Sequence, residues 1–565
     1  MRISFDVIVG STGSFVFARK LGNICTSGPM KRDSTKSYCF DRAAKLILAL
    51  ALLLAAIVRL RLLSMPLERD EGEYAYIGQQ ILQGVPPYVS AYNMKFPGIY
   101  AAYALVMAAF GQTIPGIRLG LLTVNVATVI LIFLLGRRLM NSLAGAVAAC
   151  AYALLSVSAP VLGMTANAEH FVLLPAVAGI LVVIRAVETG SPAWLLAAGL
   201  LFGTAMMVKQ QGAAFALFGA LYVALHVQAK RRSLVQRLVS VAVYGLGIVI
   251  PFTVTCLVMW HCGALDRFWL WTIKYSRDYA SQLPLSRGLK VFLGQTYLVV
   301  KEIWPIWLAA AVGGVVALRR PNIRQWRLLI VLLLFFSFAA ICPGLYFRLH
   351  YYILLLPVVS LLIGAILATK PNTANLAFVA LAFVTSIYLQ SQPLFVMTNH
   401  DLVRKLYGPS PFPESIKIAD YIRAHSAPSD TIAVLGSEPQ ICFYANRRSA
   451  TGYIYTCALL EKHLLAQAMQ EDMIAQIEAA RPRFIVYVAI PTSWMDVRDK
   501  RNSCNLIFDW IENYIPRYYT RVGLVDIMSG RWTNYYYGRA AAQRTPASSH
   551  CLYVFRRRLR VEHWR

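Results

Sequence analysis

The chain has 565 residues, of which 58% are hydrophobic and 15% charged, with a formal net charge of +28. Soluble globular chains carry about 25% charged residues, so this composition and the mean hydropathy of +0.53 exclude an ordinary soluble domain. Lys and Arg sit largely in short loops between apolar runs, where they orient helices, and no basic stripe interleaves with stacking aromatics. Nucleic-acid binding is argued against on both counts.

In chain order, residues 1–43 form a cytoplasmic segment. They carry no secretory signal, because the apolar stretch 5–18 is broken by Asp6, Gly10, Ser11 and Gly13. Met30, just before Lys31-Arg32, could serve as the start, which makes the first apolar run an uncleaved anchor. That run is 44–63. Lys31, Arg32, Lys36, Arg42 and Lys45 put its first end inside, so its far end emerges on the outer face. There the chain reads Leu67-Glu68-Arg69-Asp70-Glu71-Gly72-Glu73-Tyr74-Ala75-Tyr76, four of the 27 acidic residues within six positions. Carboxylates this close to a bilayer are kept for chemistry or ion handling. Lys95-Phe96-Pro97-Gly98 follows, and then 99–110, too short to span and expected along the outer interface.

Further crossings are expected at 117–135, 143–162, 171–187, 194–208, 212–227, 238–260, 302–318, 328–342, 352–369 and 374–391, which with the first makes eleven. The basic groups Arg137-Arg138, Lys230-Arg231-Arg232, Arg319-Arg320 and Lys370 all fall on the inner side of this topology. Asn167, Glu169 and His170 occupy an outer turn, Lys209 a junction, and Arg348, His350 and Tyr351 a late outer turn. A long outer loop to about residue 300 carries Trp269, Trp271, Lys274, Tyr275, Arg277, Asp278 and Tyr279; its aromatics suit an interfacial belt, or a flap over a substrate. From about 393 helical spacing (Ile418, Ile422; Leu465, Met469, Met473, Ile477) alternates with strand-like runs at 431–435, 484–490, 521–527 and 552–555. This predicts a C-terminal α/β domain, 392–565, behind a membrane domain, 44–391, and an odd number of crossings places it outside. Its Cys442, Cys457, Cys504 and Cys551 could pair or stay free.

No zinc spacing, P-loop or Gly-x-Ser-x-Gly elbow is present. The outer face offers carboxylates and cations instead: Asp70, Glu71 and Glu169 with Lys95, Lys209, Lys274, Arg348 and His350. A carboxylate can take a hydroxyl proton as general base while Lys or Arg stabilises charge on a departing phosphate. The bland readings are that Asp70 caps a helix beginning near Gly72, that Lys95 and Lys209 snorkel to headgroups, and that Arg348 and His350 anchor to lipid.

The motifs Arg69–Tyr76 and Lys95–Gly98 resemble the first outer loop of the polytopic GT-C glycosyltransferases, the group of protein O-mannosyltransferases and lipid A aminoarabinose transferases. Within it the likeness is greatest to the rhizobial lipopolysaccharide galacturonosyltransferase branch. The segment around Lys209 and the His350-Tyr351 helix entry are similar too; Phe96 departs from the proline that relatives carry. The resemblance implies an inverting transfer of one sugar from a polyprenyl-phosphate donor to a lipid or glycan acceptor, among membrane lipids and at the periplasmic face of a bacterial inner membrane. It implies Asp70 as catalytic base and Glu71 as acceptor ligand or support. Lys95 and Lys209 would face the donor phosphate, Glu169 would stand as a second acidic residue, and Arg348, His350 and Tyr351 would bind substrate. Carboxylates of the first two outer turns could hold a divalent cation, although no ligand spacing demands one. Two other classes fit less well. A transporter or flippase of lipid-linked sugars would place its polar residues near the midplane, and an anchored assembly protein would work through 393–565 alone.

Overall fold

The computed structural model describes residues 34–229, 233–369, 372–461, 463–494, 505–528 and 532–558. The stretch 5–18, Met30, Lys31-Arg32, Lys230-Arg231-Arg232, Lys370 and Cys504 lie outside the described residues.

The chain is a polytopic helical membrane protein with a C-terminal α/β region. Its first helices are α1 (Ser34–Arg61), α2 (Arg69–Leu82), α3 (Gly98–Phe110), α4 (Ile114–Leu139), α5 (Ser142–Leu155), α6 (Ala168–Thr189), α7 (Pro192–Val208), α8 (Ala213–Ala229) and α9 (Leu234–His261). After them come α10 (Leu285–Lys301), α11 (Trp304–Arg319), α12 (Arg327–Ile341), α13 (Leu356–Ala365) and α14 (Thr373–Leu389). Every apolar run expected to cross therefore holds a helix. Length separates them: among the described residues five are long and apolar enough to span alone, and α10 with α11 makes a sixth across a 106° bend. Gly98–Phe110, Ser142–Leu155, Pro192–Val208, Leu349–Ala365 and Thr373–Leu389 are shorter. By length and composition five or six of the eleven expected crossings hold full-length spans among the described residues, and the others hold shorter helices of up to 17 residues. Leu46, Leu50 and Leu53 on α1 and Leu238, Leu246 and Leu257 on α9 are all more than half exposed, as lipid-facing side chains are.

The expected outer loop before residue 300 is instead helical. Leu265–Trp269 leads into a π-helical turn, Leu270–Tyr275, then Ser276–Ala280 and α10. Such turns cluster at functional sites because they re-aim side chains, and here the turn points Trp271 and Tyr275 inward, where both are buried.

The C-terminal region builds one mixed sheet in the order β2-β1-β3-β6-β4-β5. The strands are β1 (Thr431–Leu435), β2 (Arg448–Ser449), β3 (Phe484–Ala489), β4 (Tyr519–Ile527), β5 (Thr533–Tyr537) and β6 (Cys551–Arg557). β1 pairs in parallel with β2 and β3, through crossovers that carry α15 (Gln440–Ala445) and α16 (Ala466–Ala480), and the other pairings are antiparallel. The four expected strands are present. β2 has two residues and β5 reads Thr-Asn-Tyr-Tyr-Tyr, so neither carries the apolar alternation that reveals a strand. Cys442, Cys457 and Cys551 are free thiols.

Sheet and membrane helices share one continuous buried core. The joint is polar and specific. Arg69 donates to Ser437 O at 2.8 Å and pairs with Glu438 at 3.0 Å; Leu67 N–H donates to Tyr444 OH at 2.9 Å. Ser449 N–H donates to Tyr76 OH at 2.8 Å, and Tyr92 N–H to Gly452 O at 2.7 Å. Gly72 is required here: a Cβ on it would lie 2.7 Å from Gln440 Cβ and 2.8 Å from its backbone nitrogen, so only glycine lets α2 close on α15.

Candidate active site

A cavity of about 470 Å³ opens where the start of α2, the 92–95 turn, the Lys209 junction, the 271–280 helical turns, the 343–351 turn and the C-terminal loop 455–461 converge. Its geometry starts from a capping box. Glu68 Oε1 accepts from the Glu71 N–H at 2.9 Å, and Glu71 Oε2 from the Glu68 N–H at 3.0 Å. Glu68 is therefore the N-cap, and α2 begins at Arg69 rather than near Gly72. Asp70, freed from capping, lines the cavity from the first helical turn, where the macrodipole favours an anion.

Glu71 points the other way. It is fully buried, and Arg118 holds it with both guanidinium nitrogens, Nη2 at 2.9 Å, while the Ala166 N–H donates to Oε1. Arg118 Nη2 also donates to Met65 O at 3.1 Å and Pro66 O at 3.2 Å. Every lone pair of Glu71 is spoken for and it does not line the cavity, which leaves it the supporting half of its expected role and none of the ligand half. Arg118 was missed in the sequence although a signal existed, since an arginine inside an apolar run needs a partner.

Asp70 Oδ1 accepts from Lys95 Nζ and from Tyr455 OH, each at 3.3 Å. Its Oδ2 has no partner among the described residues. Lys95 Nζ donates to Glu73 Oε2 at 2.6 Å, and Tyr100 OH donates to Glu73 Oε1 at 2.6 Å, so Glu73 steadies the lysine. Burial pushes the Asp70 carboxyl up. Lys95, His350, Lys209 and Arg348, with Lys95 the largest of the four, together outweigh this and hold it well below the usual carboxylate range. Burial likewise favours loss of the Lys95 proton, but Asp70 and Glu73 prevail and the ammonium is kept. A depressed carboxyl stays ionised across the whole assay range, so Asp70 sets no acid limb in the native protein. Lys95→Met removes the main cause and leaves burial, so the Asp70 carboxyl rises. An acid limb that the native profile lacks is then expected to enter the low-pH end of the kcat/KM profile. A pH–rate profile that keeps its native shape in this variant would refute that coupling.

Glu169 and Lys209 form a buried ion pair, with His350 Nε2 4.0 Å from the same Glu169 oxygen. Lys209 also lies over the Tyr351 ring, 4.6 Å from its centroid. Gly98 allows this assembly, because any Cβ there would collide with the Met207 backbone; Gln210 Nε2 then donates to Met94 O at 2.6 Å and ties the Lys209 junction to the Lys95 turn. Lys209, His350 and Tyr351 line the cavity, whereas Glu169 is fully buried behind them. Arg348 donates to Tyr279 OH at 3.2 Å and has no carboxylate partner among the described residues, unlike Lys95 and Lys209. Trp271, Tyr275 and Tyr279 also line the cavity, so of the four aromatics expected as a belt only Trp269, 45% exposed, keeps that position.

Among the described residues no three His, Cys, Asp or Glu side chains gather as a metal cluster, and lysine ammonium groups stand on Asp70 and Glu169. That donor set does not fit a divalent cation. Tyr455 and Glu461, both lining the cavity, were invisible in the sequence, since nothing local marks a residue whose partners lie far away in the chain: Asp70, 385 positions before Tyr455, and Tyr275, 186 before Glu461.

Residues 95–260 match the family described as dolichyl-phosphate-mannose-protein mannosyltransferase. This bears out the family resemblance, with Lys95–Gly98 inside the matched stretch and Arg69–Tyr76 ahead of it, and it does not single out the rhizobial branch. The chain is similar to the solved Archaeoglobus fulgidus oligosaccharyltransferase AglB, in complex with an inhibitory peptide and a dolichol-phosphate. Identity is 12% over 88% of this chain and 74% of that one, at a TM-score of 0.48. It is similar also to ArnT from Cupriavidus metallidurans bound to undecaprenyl phosphate, with 16% identity over 80% and 94% of the two chains and a TM-score of 0.48. A search of curated proteins returns no match.

Proposed function

We propose that the protein is a membrane-embedded glycosyltransferase that moves one sugar from a polyprenyl-phosphate donor to a cell-envelope acceptor, lipopolysaccharide or another glycan, at the outer face of the membrane. The observation that carries this reading is the pairing, across one cavity, of a carboxylate with one oxygen unpartnered and an arginine with no carboxylate partner, both among the described residues. Asp70 Oδ2 takes the proton of the acceptor hydroxyl, the acceptor oxygen attacks the anomeric carbon, and the sugar–phosphate bond breaks with its electron pair leaving on the phosphate. Arg348 receives that charge. Lys95 and Lys209, each already answered by a carboxylate, add to the positive field at less strength. The anionic donor also tunes the base. Its phosphate offsets the same cations that hold the Asp70 carboxyl down, so Asp70 gains basicity when the donor is in place.

The family match at 95–260 supports the reaction class, and the positive-inside distribution of Arg137-Arg138 and Arg319-Arg320 supports the outward placement of Asp70 and of the C-terminal domain. A transporter of lipid-linked sugars is the rival. It is disfavoured because Asp70, Lys95 and Arg348 gather at helix ends and in turns, where transporters rely on discontinuous helices.

Comparison of lipopolysaccharide and polyprenyl-linked sugars by mass spectrometry, in cells with and without the protein, tests the proposal. Loss of one sugar from an envelope glycan together with build-up of its lipid-linked form is expected; identical spectra would sink it. Arg348→Ala is expected to weaken undecaprenyl phosphate binding by roughly ten- to a hundredfold, the equivalent of one charge-assisted hydrogen bond of about 1.5–3 kcal/mol. Titration of the purified full-length protein with undecaprenyl phosphate measures this, and native affinity in the variant would remove Arg348 from the donor site.

A further inference from the structure

Glu461 follows the short helix Cys457–Leu460 and reaches into the cavity from the C-terminal domain. It is 7% exposed. Its Oε2 accepts from Tyr275 OH at 2.6 Å and from Gln282 Nε2 at 3.3 Å, while Tyr346 OH donates to Gln282 Oε1 at 3.1 Å and so turns the amide nitrogen toward the carboxylate. Two donors thus hold one oxygen. The other has no hydrogen-bond partner among the described residues, the residue lines the cavity, and no Lys or Arg among them forms an ion pair with it. Burying a carboxylate without a paired cation is expensive, and burial pushes this carboxyl up, opposed by Tyr275 and Gln282 and, more weakly, by His463 and Arg348 at longer range. An arrangement so costly, with one oxygen left open, calls for a donor from a guest.

The surrounding wall narrows the chemistry of that guest. Tyr279 and Tyr346 stack with centroids 4.8 Å apart, and Trp271 meets Tyr275 edge to face at 5.2 Å. Flat aromatic faces beside an acceptor oxygen suit a ring that is apolar on its C–H face and carries hydroxyl donors at its edge. A cationic guest is opposed by Arg348, whose guanidinium is bonded to Tyr279 of the same wall.

We propose that Glu461, held by Tyr275 and Gln282, forms a subsite that binds the hydroxyl groups of a sugar ring and selects the sugar by them. The inference rests on the glycosyl-transfer reading and deepens it: Asp70 and Arg348 serve the bond that changes, and Glu461 serves the identity of the ring. A buried oxygen built to accept from a hydroxyl penalises a ring that lacks one, because the oxygen is then left unpaired. Such a ring belongs either to the donor or to a glycan acceptor.

The test uses the full-length protein in detergent or nanodiscs, as wild type, Glu461→Gln and Tyr275→Phe, the second keeping the carboxylate but removing its main anchor. Three probes are titrated: undecaprenyl phosphate, a panel of undecaprenyl-phosphate monosaccharides (glucose, mannose, galacturonic acid), and a lipopolysaccharide core oligosaccharide. Both variants are expected to bind undecaprenyl phosphate within about twofold of wild type. Against a sugar-bearing probe that wild type binds, Glu461→Gln is expected to lose about tenfold or more, and Tyr275→Phe a smaller factor. A loss confined to the lipid-linked monosaccharide assigns the subsite to the donor sugar, and one confined to the oligosaccharide assigns it to the acceptor. Equal affinity of Glu461→Gln and wild type for every sugar, with undecaprenyl phosphate still bound, overturns the subsite and leaves the transfer reading standing. Wild-type protein that ignores undecaprenyl phosphate itself overturns both.

Discussion

Replacing Asp70 by asparagine is expected to lower turnover about a hundred- to ten-thousandfold, the range that general-base catalysis contributes, while the protein still folds and binds donor. Asparagine has the same outline as aspartate, and its amide oxygen can accept from Lys95 and Tyr455 as Oδ1 does now. Lys95 keeps Glu73 at 2.6 Å, so no buried ammonium is stranded. What asparagine cannot do is take a proton. With the negative charge gone, the cavity becomes more cationic and donor phosphate should bind at least as tightly as before. Transfer of labelled sugar from an undecaprenyl-phosphate donor, measured beside donor binding on the same preparation, separates the two effects. A transporter would keep most of its flux in this variant. Turnover near the native rate would remove Asp70 from the chemistry.

The cluster at 67–76 was legible because charge beside an apolar run is conspicuous, and so were Lys95, Lys209 and the 348–351 turn, whose polar residues interrupt hydrophobic stretches. The division of labour inside the cluster was not legible. Asp70 and Glu71 are adjacent and chemically alike, yet one faces the cavity and the other a buried guanidinium. That difference is set by which residue takes the N-cap, and in this helix Glu68 takes it. Strands β1, β3, β4 and β6 were visible through their apolar runs, whereas β2 and β5 are held by their neighbours in the sheet more than by their own composition. Helix lengths inside the runs were not legible, because a run of about 18 apolar residues suggests a crossing and says nothing of where the helix inside it stops. The run 143–162, for example, is α-helical only over Ser142–Leu155, with a short 3-10 turn at Ala159–Val161. The contributions of Tyr455 and Glu461 are tertiary facts, fixed by the packing of the C-terminal domain on α2 and on the 275–282 turns.

Breaking the Glu71–Arg118 pair should unfold the outer assembly rather than slow its chemistry. Removing one member of a buried, hydrogen-bonded ion pair costs about 3–5 kcal/mol, because the other charge is left without compensation. Arg118→Met strands the Glu71 carboxylate, and it also frees the Met65 and Pro66 carbonyls that steer the chain from α1 into α2. Glu71→Gln strands the guanidinium but keeps an oxygen for the Ala166 N–H, so it should be the milder of the two. The double variant Glu71→Gln/Arg118→Met buries no lone charge and should recover part of the loss, though not the carbonyl contacts. Thermal midpoints of the four proteins in one detergent give the coupling directly, and a strongly favourable coupling is expected. The same set discriminates between the two roles open to Glu71. A residue that touches acceptor would, as Glu71→Gln, raise KM for acceptor in a protein that melts normally. A residue that braces the base would lower the midpoint, and the surviving folded fraction would show near-native KM, because the carboxylate that meets the substrate is the neighbouring one.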